Sequence, residues 1–94
     1  MSELKDVRIV AEDHWVLPND GERRLIYIAL GAPEPTSTPE PHWECPVFAE
    51  EFTGSKVVKI GGVGPVDALI NAAVLIRSLT ADTGAYPRGN GADC

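Results

Sequence analysis

Arg24-Leu25-Ile26-Tyr27-Ile28-Ala29-Leu30, entered through Pro18-Asn19-Asp20-Gly21, decides how this chain folds. Ile26, Ile28 and Leu30 share one parity, the period of two that a half-buried strand requires. Upstream, Val7, Ile9, Ala11, Trp15 and Leu17 alternate with Arg8, Val10, Glu12, His14 and Val16, so a first strand precedes the turn. Pro presets φ, Asn and Asp tolerate tight backbone, and Gly supplies positive φ. Two strands around that turn make a β-hairpin.

Downstream the pattern changes three times. Gly31 to Pro41 contains Pro33, Pro35, Pro39 and Pro41, which forbid a helix and remove ladder donors, so a semi-extended loop is expected. Trp43, Cys45, Val47 and Ala49 then share a parity, with Phe48 and Phe52 on the other, and Trp43 to Phe52 reads as a third strand that Pro46 either bends or ends. After Thr53-Gly54-Ser55, Lys56 to Ile60 reads as a short fourth strand. Gly61-Gly62-Val63-Gly64 breaks the pattern, and Pro65 suits a first helical turn because its missing N–H would be unpaired there. Asp67 favours the positive end of the helix dipole. A helix is expected from Val66 to about Ala81, with Leu69, Ala72, Ala73, Ile76 and Leu79 on the buried side. Thr83 to Cys94 holds three glycines and one proline and reads as a flexible tail.

The expectation is therefore an α+β domain over residues 1–82, four antiparallel strands packed on one C-terminal helix, followed by a tail over 83–94. With 94 residues there is room for one domain. Apolar residues make up 44% and charged residues 23%, which separates the chain from disordered and fibrous classes. Fourteen Asp+Glu against eight Lys+Arg leave a net charge of −6, which disfavours nucleic acid as a partner. The first ten residues carry Glu3, Lys5, Asp6 and Arg8 and no apolar core of a secretion signal. The apolar stretch Ala68 to Leu79 is too short and too polar for a bilayer. A cytoplasmic setting with no membrane partner is expected.

Several residues bear on chemistry. Gly61, Gly62 and Gly64 precede a helix start, where converging N–H groups hold anions. No Lys-Ser/Thr follows them, and Asp67 places a carboxylate where a phosphate would lie. His14, His42, Cys45 and Cys94 lack the paired spacing of a structural zinc site, and no nucleophile signature surrounds Cys45. Glu12-Asp13 and Glu50-Glu51 are sequence neighbours, so on strands their carboxylates point apart. No cofactor, metal or catalytic residue is expected. Both faces of the first hairpin are apolar, whereas one helix covers one face. The surplus calls for the proline loop with Trp43, or for another chain. The expected function is a non-catalytic acidic module that binds another protein or itself, as an immunity protein, inhibitor or adaptor does. Trp15, Tyr27, Trp43, Val74 and Leu75 are the candidate contacts, aromatic anchors being the commonest hot spots. The alternative is a small-ligand or anion binder using Gly61, Gly62 and Gly64.

Three segments together carry a resemblance. Gly31-Ala32-Pro33-Glu34-Pro35, Trp43-Glu44-Cys45-Pro46 and Gly64-Pro65-Val66-Asp67-Ala68-Leu69 follow one another in order. They resemble a family of small bacterial proteins of unknown function with a G-x-P-x-P loop, a W-x-C-P strand and a G-x-D-A-L helix start. The resemblance spans Ile26 to Leu79. It implies a bacterial or phage-borne source and a small α+β fold, with no mechanism attached. This chain departs from it in a longer proline segment and a glycine-rich tail.

Overall fold

The structure, a computed structural model, describes residues 6–19, 21–37, 42–54 and 56–88. Six strands and one helix follow in the order β1 (Ile9–Asn19), β2 (Glu22–Gly31), β3 (Glu34–Pro35), β4 (Trp43–Ala49), β5 (Val58–Gly62), α1 (Pro65–Thr83) and β6 (Tyr86–Pro87). The class is α+β, an antiparallel sheet with one C-terminal helix. Among the described residues the sheet has six strands rather than the four expected.

The four long strands form a meander, β1-β2-β4-β5, each pairing with the next. The hairpin runs further than the turn residues suggest. Pro18 pairs with Arg23 and Asn19 with Glu22, so the connection is two residues, with Gly21 at φ 84°. That is the tight hairpin turn that a right-twisted ribbon favours.

The two additional strands are two-residue segments on sheet edges. β5 takes one side of β4, so β2 and β3 lie end to end along its other side. Pro46 sits where they meet. The Glu50 N–H donates to the Tyr27 carbonyl at 2.9 Å, so even-numbered β4 residues face β2. Pro46 falls in that series and has no N–H for Gly31. The Gly31 carbonyl accepts from the Cys45 thiol instead, at 3.3 Å. Proline therefore interrupts the ladder locally and does not end the strand. β6 lies on the outer edge of β1, where Tyr86 pairs with Val16 and Pro87 with Trp15. The segment expected as tail from Thr83 is thus ordered to Arg88, whose N–H donates to the His14 carbonyl at 3.1 Å. Gly89 to Cys94 lie outside the described residues.

A bulge between Ile9 and Ala11 shifts the β1–β2 register by one residue. The parity of β1 flips there. Ala11, Asp13, Trp15 and Leu17 point to the helix side. Ile9, opposite Gly31, points to the other side with Val7, whose side chain occupies the space a Gly31 side chain would need, beside Pro46. The expected single row from Val7 to Leu17 is therefore split between two faces.

The core lies between the sheet and α1. Ile26, Ile28, Cys45, Val47 and Ala49 meet Ala68, Ala72 and Ile76, with Trp15, Leu17, Leu30, Trp43, Ile60 and Leu69 packed around them. The buried helix positions are Ala68, Ala72, Ile76 and Thr80, one turn apart, whereas Ala73 is exposed rather than buried as expected. The Thr80 hydroxyl donates to the Ile76 carbonyl at 2.8 Å, which satisfies it inside the core. The helix extends to Thr83, two residues past the expected end. Gly84, at φ 75°, closes it in the left-handed conformation, and the Gly84 and Ala85 N–H groups return to the Thr80 carbonyl. Among the described residues no helix is long and apolar enough to cross a membrane.

Candidate interaction surface

The start of α1 is fixed by small residues. A side chain on Gly62 would overlap the Ala68 backbone nitrogen and stand 2.6 Å from its Cα and 2.8 Å from the Asp67 carbonyl carbon. The helix backbone thus lies directly on β5, and α1 packs over β4 and β5. The sheet is wider than one helix. The inner face of β1 is left partly open, and a groove of about 300 Å³ runs there. Its walls are Ala11, Trp15, Ile28 and Leu30 from the sheet and Ala73 and Ile76 from the helix, with Asp13 and Arg77 at its margins.

The outward flank of α1 adjoins this groove. Val66, Ile70 and Val74 are 68%, 54% and 57% exposed, a row at four-residue spacing on one side of the helix. Single exposed apolar residues are ordinary, but a row beside an apolar groove makes one continuous patch.

The five candidate contacts do not form one surface. Trp15 is half-buried and forms part of the groove wall. Val74 is exposed on the helix flank, next to Ala73. Leu75 is half-buried. Trp43 packs against the inner core, opposite Gly62, and so does not cover the outer face of the sheet. Tyr27 lies on that outer face, where its ring meets those of His14 and Phe48 at centroid distances of 5.6 and 6.0 Å. The residues that sequence reasoning missed are Ala11, Asp13, Leu30, Ala73 and Arg77. The spacing Val66, Ile70, Ala73, Arg77 (four, three, four) was the available signal.

Val16 and Ala29 are buried on the outer face. The apolar surplus of the hairpin is therefore absorbed partly within the chain, while Leu25 on the outer face and Val10 at the bulge stay exposed. The outer face is polar at its margins. The Tyr27 hydroxyl donates to Glu12 at 2.5 Å, and this bond, with burial and the Glu12 charge, pushes the phenol up to about 12. Glu50 and Glu51 converge on Arg24 instead of standing as separate solvated groups. Glu50 also accepts the Tyr27 N–H at 2.9 Å. Glu12 and Asp13 point to opposite faces, as their adjacency requires.

Several groups of the glycine-rich connection are engaged by the chain itself. The Val63 N–H donates to Asp67 Oδ2 at 2.9 Å, the Ala68 N–H to the Gly64 carbonyl at 2.9 Å, and the Asn71 amide to the Gly61 carbonyl at 3.0 Å. The Asp67 carboxylate thus holds the residue just before the helix start, and the N-cap Gly64 has no side-chain cap. Cys45 is fully buried on the inner face, and burial pushes its thiol up, the reverse of nucleophile activation. His14 and His42 lie on the outer side of the sheet. The His42 Nε2 is 3.6 Å from Glu44, and its Nδ1 is 3.2 Å from the Thr36 hydroxyl. Among the described residues no three His, Cys, Asp or Glu side chains are grouped to hold a metal ion. No protein-family model, curated protein or solved structure matches the chain.

Proposed function

We propose that this chain is a non-catalytic protein-binding module that docks its partner in the groove between β1 and α1. One observation carries the reading. An apolar groove of about 300 Å³ opens onto the exposed row Val66, Ile70 and Val74. Covering such a patch is favourable at roughly 25 cal/mol per Å² of apolar area removed from water. Ala11, Asp13, Ala73 and Arg77 on its walls and margins are exposed, so the groove is shaped for a secondary-structure element lying along it. Trp15 and Val74 belong to this surface; Tyr27, Trp43 and Leu75 do not line the groove. An immunity protein, inhibitor or adaptor of the size read from the sequence would use such a face.

The test is a photo-crosslinking residue at Val74, with Lys56 as a remote exposed control, in the cell that makes the protein. A discrete adduct is expected at Val74 and not at Lys56, and Ile70→Glu abolishes it. No adduct at Val74, or equal yields at both positions, refutes the reading.

A further inference from the structure

We propose that the occupant of this surface is α1 of a second copy, packed antiparallel against α1 of the first; this rests on the protein-binding reading above.

The argument begins with spacing. Val66, Ile70, Ala73 and Arg77 are separated by four, three and four residues, the alternation of a helix-pairing seam. All four are exposed, and they are distinct from the core positions Ala68, Ala72, Ile76 and Thr80. One helix thus carries two apolar stripes, one facing its own sheet and one facing outward. A free short helix would be too unstable to pair through so brief a seam. Here the sheet already holds the helix.

Strand addition is disfavoured at the nearest alternative surface. The outer edge of β1 is occupied by β6 at Trp15 and Val16, and beyond that it is bulged between Ile9 and Ala11 and carries Glu12 and Asp13. Bulges and charges are the devices that keep an edge from pairing. The helix flank has no bulge and presents Val66, Ile70 and Ala73, with Arg77 as the one charge in the row.

Orientation follows from size and charge. In a parallel pair each residue meets its own copy. Arg77 would face Arg77, and Ala73 would face Ala73 across a gap. In an antiparallel pair the symmetry axis passes between Asn71 and Ala72. Ile70 then faces Ala73 of the second copy, large against small, twice. Arg77 lies at the level of Val66 and Asp67 of the second copy. Its aliphatic stem covers the valine and its guanidinium approaches the carboxylate. The two helix dipoles also oppose.

Two measurements test this. Light scattering of the full chain across about 10 µM to 1 mM should show the mass rising from 10.1 kDa toward twice that value. Ile70→Glu should stay at 10.1 kDa and unfold at the temperature the parent shows at its lowest, monomeric concentration, since Ile70 is not part of the core cluster. Because each copy carries −6, association should strengthen with added salt, whereas docking of a basic foreign protein would weaken. Orientation is read with Ile70→Cys and Ala73→Cys, each combined with Cys94→Ser. On mild oxidation an equimolar mixture should cross-link several-fold more than either variant alone. Preferential cross-linking of Ile70→Cys with itself overturns the antiparallel arrangement. A 10.1 kDa mass at every concentration overturns the second copy as occupant. In that case an adduct at Val74 with a mass other than two chains keeps the protein-binding reading, and no adduct removes both.

Discussion

Replacing Gly62 by alanine is the sharpest perturbation available, because the obstacle is backbone. The added methyl would overlap the Ala68 nitrogen and lie 2.6 Å from Ala68 Cα and 2.8 Å from the Asp67 carbonyl carbon. No rotamer change relieves a clash with a helix backbone, so α1 must move off β5 and loosen Ala68, Ala72 and the groove together. Overpacking of a closed core costs about 1–3 kcal/mol, and the upper end applies when side chains cannot yield. About 3 kcal/mol is a large share of the roughly 5–14 kcal/mol expected for a 94-residue domain. It corresponds to a fall of about 12–24 °C in Tm. The neighbouring glycines are the controls. A Gly61 side chain would meet the His42 ring at 3.5 Å and the Trp43 carbonyl oxygen at 3.9 Å, both ordinary contacts, and Gly64 has open space at φ −154°, which any residue adopts. Gly61→Ala and Gly64→Ala should each stay within about 1 kcal/mol of the parent, Gly64→Ala losing a little as a poorer N-cap. Thermal unfolding followed by tryptophan fluorescence reads all three. A Gly62→Ala variant within a few degrees of the parent, or a Gly64→Ala loss of similar size, refutes the close-approach argument. Amide signals of Gly62 and Gly64 that move on adding phosphate would return the anion alternative to consideration.

Ile26 is fully buried at the centre of the sheet, so Ile26→Ala should cost about 2–5 kcal/mol by urea unfolding, and a loss under 1 kcal/mol would mean that the core is elsewhere. Tyr27 should titrate near 12 by ultraviolet difference absorbance, and Glu12→Gln should bring it back toward 10.0. Because the folded value lies above the ordinary one, the phenol's contribution to stability is complete below pH 10.0 and declines as pH rises toward 12. Glu12→Gln should flatten that decline; an unchanged slope would show that the hydrogen bond is not its source. Burial likewise raises the Cys45 thiol above its ordinary 9.0, so its contribution is complete below pH 9.0 and falls above it. In the native chain iodoacetamide should leave Cys45 untouched until denaturant is added, and prompt native alkylation would contradict its burial.

How far the sequence was legible varies by element. The hairpin was readable because Ile26, Ile28 and Leu30 keep their period through the buried half of β2. The helix was readable to within two residues, because Pro65 and Gly84 mark its ends. The bulge was not, because the apolar series Val7, Ile9, Ala11 continues unbroken across it, and only the Ile9–Gly31 pairing reveals the slipped residue. β3 and β6 were hidden by proline. Pro35 and Pro87 have no N–H to give, yet each lies at an edge where one carbonyl and one neighbour suffice for a two-residue pairing. Ala73 was assigned to the wrong side because alanine carries too little hydrophobicity to fix a helix's rotation, and the buried hydroxyl of Thr80 carried none.

The groove was illegible for a different reason. Its existence depends on where one helix sits across a wide sheet, and that is a matter of lateral position rather than of pattern. Gly62 and Ala68 are the two residues that set this position, because their contact brings α1 down on β5 at the far edge. From there a helix roughly 10 Å wide spans two strand spacings of about 4.8 Å each. It covers β5 and β4, reaches β2 through Ile76, and leaves the inner side of β1 to Trp15 and its neighbours. Close approach at one edge therefore produces the opening at the other. Had position 62 carried a side chain, α1 would have stood further from β5. The same small residues that tighten the core thus leave Val66, Ile70 and Ala73 facing outward beside an unfilled groove, which is where a second helix has room to lie.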